Sequence, residues 1–130
     1  MKEVVDVGLP TPSQPFSWAV KASGTLLFTA HGPVRADGSV HTGAVEDQAR
    51  LTFTNLRNAV QAAGGYMDDV AQMLIYILDV ADMPVIDRVY REFFASPYPS
   101  RSSAVVAALV VPHMKIEIVA YVAVGSTRGE

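Results

Sequence analysis

The sequence predicts an α+β fold, a mixed β-sheet with two helices on one of its faces. Three observations carry that expectation. "FSWAVKA" (16–22) alternates Phe16, Trp18, Val20 and Ala22 with Ser17, Ala19 and Lys21, the two-residue period of a strand. "AVEDQARLTFTNLRNAVQAAGG" (44–65) changes period: Ala49, Phe53, Leu56, Val60 and Ala63 recur at steps of four and three, one apolar face of a helix. "VAQMLIYIL" (70–78) carries large aliphatics and no charge, as a strand covered on both faces does.

Taken in order, "TPSQP" (11–15) is a turn-rich loop leading into the first of these strands, because proline fixes φ and removes donors. Ser23-Gly24 turns that strand into "TLLFTA" (25–30), and "HGPVRADGSVHTG" (31–43) follows as a long irregular loop. Glu46 and Asp47 suit the positive end of the first helix dipole, and Gly64-Gly65 stops it. "DMPVIDRVYREFF" (82–94) opens on Asp82 as N-cap with Pro84 in the first turn. Its stripe of Val85, Val89, Tyr90, Phe93 and Phe94 ends at Ser96-Pro97. Two closing strands are expected over 102–111 and 115–124. The order reads β-β-α-β-α-β, with room for a short strand before Pro10. In the last strand Ile116, Ile118, Ala120, Val122 and Val124 share the face expected under the helices. Lys115, Glu117, Val119, Tyr121 and Ala123 share the other, which nothing in the sequence covers, so self-association is the economical answer.

At 130 residues the chain is read as a single domain, 1–130, with one core. Half of it is hydrophobic (50%), charged residues are sparse (18%), and the net charge is −3. Lys and Arg are scattered and form no basic stripe, which disfavours nucleic acid as a partner. Without cysteine there is no disulfide, zinc ribbon or thiol nucleophile. "MKEVVDVGLPTP" has no apolar signal region, and the aliphatic run ending at Val111 is too short for a bilayer. A soluble, cytoplasmic protein is expected.

Two charges stand out. Arg101 is the lone charge in "YPSRSSAVVAALVV" (98–111), where a helix and a proline-containing loop hand over to a strand. Glu117 is the lone carboxylate in "KIEIVAYVAV" (115–124). Charges in such places need partners. They pair with each other, or reach solvent, or the guanidinium is a fork for a ligand carboxylate, a bond of about 1.5–3 kcal/mol net. Pattern alone leaves all three open. His31 in "TAHGP" either relays a proton or contacts ligand, or it bonds to loop backbone, while His41 and His113 read as exposed loop residues. The histidine spacing offers no metal site, and "DGSVHTG" lacks the lysine and helix of a phosphate loop. Tyr90 reads as core, with its hydroxyl within reach of a pocket as the alternative, Trp18 as core or interface, and "YMDDV" (66–70) as a solvated turn.

Over nearly its whole length the chain resembles the RidA/YjgF family of imine and enamine deaminases, also labelled L-PSP endoribonuclease-like. The resemblance is carried by "TAHGPV", "DQARLTFTNLRNAVQAAGG", "DVAQMLIYILDVADMPVIDRVYREFF", "PSRSS" and "VVPHMKIEIVAYVA". It implies a chorismate mutase-like fold assembled as a homotrimer, with sites in the clefts between subunits. In such a site the arginine matching Arg101 grips the carboxylate of a small 2-imino or enamine acid, and the glutamate matching Glu117 positions the attacking water. No cofactor and no metal are implied, because a protonated imine is already an electrophile. Phe16, Thr29, Ala30, His31, Asp87 and Ser103 complete the implied substrate site.

Several of these depart from the family pattern. Phe16 replaces a tyrosine, Thr29-Ala30 a serine-glycine pair, Asp87 an asparagine, Ser103 a cysteine and Val119 a second glutamate, and the segment from Arg101 to Glu117 is one residue longer. The resemblance implies hydrolytic deamination of imines or enamines bearing a carboxylate. The alternative is a binding or regulatory module that holds a small carboxylate metabolite without turning it over. Ribonuclease activity is disfavoured by the acidic balance and the lack of a histidine acid–base pair.

Overall fold

Alternating burial builds the sheet and decides which side the helices take. A computed structural model describes residues 1–125. The strands are β1 (Lys2–Val4), β2 (Ala19–Ala22), β3 (Leu26–His31), β4 (Val70–Ile77), β5 (Ser100–Val105) and β6 (Ile116–Ala123). The helices are α1 (Val45–Ala62) and α2 (Met83–Phe93). The six strands lie in the order β1-β2-β3-β6-β4-β5, with β4 and β5 parallel and all other neighbours antiparallel. Ser23 and Gly24 both take positive φ, 55° and 73°, to make the tight turn from β2 to β3.

On β6 the expected parity holds. Ile116, Ile118, Ala120 and Val122 are buried, whereas Glu117, Val119 and Tyr121 are half-exposed. The buried row meets Ala49, Phe53, Leu56 and Val60 of α1 and Ile86, Val89 and Tyr90 of α2 in one core. Each large side chain fully withdrawn from water there contributes about 1.5–3 kcal/mol. Rings order the helix–helix seam, with Phe53 edge-on to Tyr90 at 5.7 Å and Tyr90 stacked on Phe94 at 4.5 Å.

Three expectations need correction. β4 is covered on one face only: Met73, Ile75 and Ile77 are buried, while Leu74 and Tyr76 are half-exposed, because both helices pack on the same side. The strand expected over 16–22 begins at Ala19, which points into the core, and the Trp18 indole N–H is drawn off to the Pro10 carbonyl at 2.9 Å. β5 stops at Val105 instead of running to 111. Its neighbour β4 ends at Ile77, whose carbonyl takes the Val106 N–H at 2.8 Å, so later residues have no strand to pair with. Both closing strands expected from the sequence form, and so does a short strand before Pro10, giving the order β-β-β-α-β-α-β-β.

Smaller details also shift. Asp82 sits at the N-cap of α2 without a side-chain cap bond, and Asp79 instead accepts from the Ala81 N–H at 2.9 Å one turn earlier. His41 is half-buried, its Nδ1 accepting the Gly43 N–H at 3.0 Å.

Candidate functional site

Arg101 is placed by β5 and held by α2. The β4–β5 register aligns Arg101 with Met73 and Ser103 with Ile75. Because aligned residues share a face, Arg101 leaves the sheet on the helix side. There its Nη2 donates to Asp87 Oδ1 at 2.6 Å, its Nε donates to Ser103 Oγ at 3.2 Å, and its Cζ lies 4.8 Å from the centre of the Tyr90 ring. Helical spacing brings Asp87, Tyr90 and Arg91 to one side of α2, where with Tyr98, Pro99 and Arg101 they line a cavity of about 250 Å³. The Tyr90 hydroxyl is buried beside the Arg101 guanidinium; burial raises its pKa, and the positive charge of Arg101 opposes that rise.

Glu117 sits elsewhere. It pairs with Tyr76 in the β6–β4 register, between the core-facing Ile75 and Ile77, so it projects from the opposite, outer face. It lies in a second cavity, of about 310 Å³, whose walls include Phe16, Trp18, Ala30, Val110 and Met114. Among the described residues it has no hydrogen bond or ion pair, and burial pushes its carboxyl above the ordinary glutamate value. His31 lines the same cavity. Its Nε2 lies 2.6 Å from Thr29 Oγ1, which itself donates to the Trp18 carbonyl at 3.0 Å. That leaves Nε2 as the proton-bearing nitrogen and Nδ1 as a buried acceptor without a partner among the described residues. Burial lowers the His31 pKa to about 4, so the ring is neutral at pH 7.

The expected site residues therefore fall into two groups. Arg101, Asp87 and Ser103 meet on the helix side, at the β5 edge of the sheet. Phe16, Ala30, His31 and Glu117 meet at the other cavity, and Thr29 is tied to that group through His31. Arg101 and Glu117 do not pair within the chain; the partner of Arg101 is Asp87. Tyr98 and Arg91, lining the Arg101 cavity, were not anticipated, although the spacing Asp87-Tyr90-Arg91 placed Arg91 on the relevant side of α2. Among the described residues no cluster of three or more His, Asp or Glu side chains is poised for a metal, and no helix is long and apolar enough to cross a membrane.

The chain is thus an α+β protein with two helices on one face of its sheet, a guanidinium at the sheet edge and a partly desolvated carboxylate on the other face. Residues 8–124 match the family described as Endoribonuclease L-PSP. A 2-iminobutanoate/2-iminopropanoate deaminase of Dermatophagoides farinae is 36% identical over 110 residues, covering 83% of this chain and 86% of that one. A RutC family protein of Pyrococcus horikoshii is 32% identical over 124 residues, 93% of this chain and 98% of that one. Among solved structures, E. coli TdcF with bound serine superposes with a TM-score of 0.83 at 32% identity, covering 93% of this chain and 98% of that one. The chain belongs to the L-PSP/RidA family and has its fold.

Proposed function

We propose that this protein hydrolyses reactive 2-imino and enamine carboxylic acids to 2-keto acids and ammonia, in sites assembled between subunits of a homotrimer. Arg101 of one subunit binds the substrate carboxylate, and Glu117 of a neighbour serves the attacking water. The observation that carries this reading is Glu117, a partly desolvated carboxylate without a partner among the described residues, in a cavity with largely apolar walls. Such a group is a stronger base than a solvated glutamate and has a reason to be kept unpaired. The relatives named 2-iminobutanoate/2-iminopropanoate deaminase and Reactive Intermediate Deaminase A support the reaction class.

The chemistry balances with these groups alone. Water adds to the iminium carbon as Glu117 takes one of its protons, giving a carbinolamine. The new carboxylic acid returns that proton to the nitrogen, the C–N bond breaks, and the hydroxyl proton passes to the departing ammonia. A 2-keto acid and ammonium remain. Placing both ends of the substrate between fixed groups converts the step to a unimolecular one.

Support for assembly comes from the two faces. Arg101 and Glu117 lie on opposite sides of one sheet, so one chain by itself supplies half a site on each. The outer face also leaves Leu26 46% and Phe28 41% exposed beside Tyr121, apolar surface that a second copy would bury.

The test is a competition on freshly generated imines. An amino acid oxidase produces 2-imino acids while semicarbazide traps those that survive. The wild type is expected to suppress trapping. Arg101→Ala and Glu117→Gln are each expected to lose it by at least about a hundredfold, with Glu117→Gln still binding 2-keto acid. Normal suppression by both variants would overturn the assignment. A second reading, ligand holding without turnover, is favoured by one observation: Asp87 already occupies part of the Arg101 fork. Saturable binding of keto acid without any suppression would select it.

A further inference from the structure

Arg101 does not offer an empty fork. Nη2 is committed to Asp87 and Nε to Ser103, which leaves Nη1 as the nitrogen without an acceptor among the described residues. Both members of the ion pair remain partly open, their side chains 23% and 31% exposed. Arg91 lines the same cavity, so its charged walls are two guanidiniums and one carboxylate. Tyr90 adds a buried hydroxyl beside the Arg101 guanidinium.

A ligand arriving here meets an anion already in place. A carboxylate can be received at Nη1 while Asp87 keeps Nη2. A second carboxylate on the same ligand would have to lie beside Asp87 in a cavity of about 250 Å³, and like charges so close repel strongly when partly desolvated. A nitrogen that carries N–H, next to the ligand carboxylate, would instead find Asp87 as an acceptor. We propose that Asp87 sets the ligand charge: with Arg101 it selects a small monocarboxylate bearing an N–H donor beside the carboxylate, and it turns dicarboxylates away. This rests on the reading of Arg101 as the carboxylate site.

Calorimetric titration of the full chain with 2-oxobutanoate, 2-oxoglutarate and L-serine tests it. These probes carry one carboxylate, two carboxylates, and a carboxylate beside an ammonium. The wild type is expected to bind 2-oxobutanoate about tenfold more tightly than 2-oxoglutarate. Asp87→Asn, which keeps the shape and removes the charge, should erase that ratio and weaken serine relative to 2-oxobutanoate. Asp87→Glu should keep the wild-type ranking. If Asp87→Asn does not fold, Asp87→Ser carries the same expectation. An unchanged ranking in the uncharged variant, with Arg101→Ala weakening all three probes, overturns the role of Asp87 and leaves Arg101 standing. Undiminished affinities in Arg101→Ala overturn both, as does a wild type that binds none of the probes at millimolar concentration.

Discussion

His31 shows how far burial alone can move a side chain's chemistry. The ring is 1% exposed and stacks parallel to Trp18 at 6.2 Å between centroids. Its pKa falls to about 4 because the charged form cannot be solvated. The sign of the stability effect follows. Between roughly pH 6.5 and 4 the unfolded chain binds a proton that the native chain refuses. The stability this group contributes is thus fully present above pH 6.5 and is lost as pH falls through 4, with an upper limit of about 3 kcal/mol. Urea denaturation of the wild type and His31→Gln at pH 7 and pH 4.5 should show the gap between them narrowing at the lower pH. A constant gap would mean that the ring is solvated or paired. Glu117 is shifted by the same cause in the opposite sense for its charge type: burial disfavours the anion and raises the carboxyl. Both residues were visible in the sequence, yet neither shift was, since desolvation depends on neighbours such as Trp18 and Met114 that come from distant segments.

At the scale of elements, Gln48 is the tie that the sequence did not disclose. It lies in the first turns of α1 on a buried face, 0% exposed. Its Nε2 donates to the carbonyls of His113 at 3.0 Å and Gly43 at 3.3 Å, and its Oε1 accepts the Lys115 N–H at 2.8 Å. One side chain thereby joins α1 to the loop before it and to the segment that starts β6, two residues before Glu117. Asn55, one side of α1 further on, does the same for the loop after His31, donating to the carbonyls of Gly32 and Val34 at 3.1 and 2.8 Å. Gln48→Ala should cost about 2–3 kcal/mol, because buried backbone groups lose their partners without gaining water. Hydrogen exchange at the Lys115 amide is the local readout. Retained protection there would show that the contact is dispensable. In a sequence pattern Gln48 looks like any polar residue beside an apolar stripe, since the carbonyls it serves lie 5 and 65 positions away.

For the whole molecule, the decisive feature is that the two halves of the proposed site sit on opposite faces of one sheet. Arg101→Ala and Glu117→Gln chains, each inactive alone, should therefore complement each other when unfolded and refolded together. Random assembly in a closed ring pairs an intact Arg101 with an intact Glu117 in roughly a quarter of the sites. Recovery of about that fraction of wild-type imine suppression is the expected result. No recovery, with mixed oligomers verified by mass, would mean that the two residues act within one chain or not together at all.

By itself the sequence determined which residues of α1 and β6 turn inward, because that information is local. The steps of four and three in α1 and the alternation in β6 mark their buried faces correctly, for a helix or strand repeats its geometry every few residues. The family resemblance likewise rests on contiguous motifs, and it located the fold. What the tertiary structure alone decided is what Arg101 and Glu117 hold. Both are odd-numbered positions on strands whose inner and outer faces the sequence could not relate. Their relative parity is fixed only when β5 and β6 both register against β4, one parallel and one antiparallel. That pairing sends Arg101 to Asp87 on α2, the side opposite the outer face that alternation had already given Glu117, and strand register is a property of non-local hydrogen bonds that no single segment encodes.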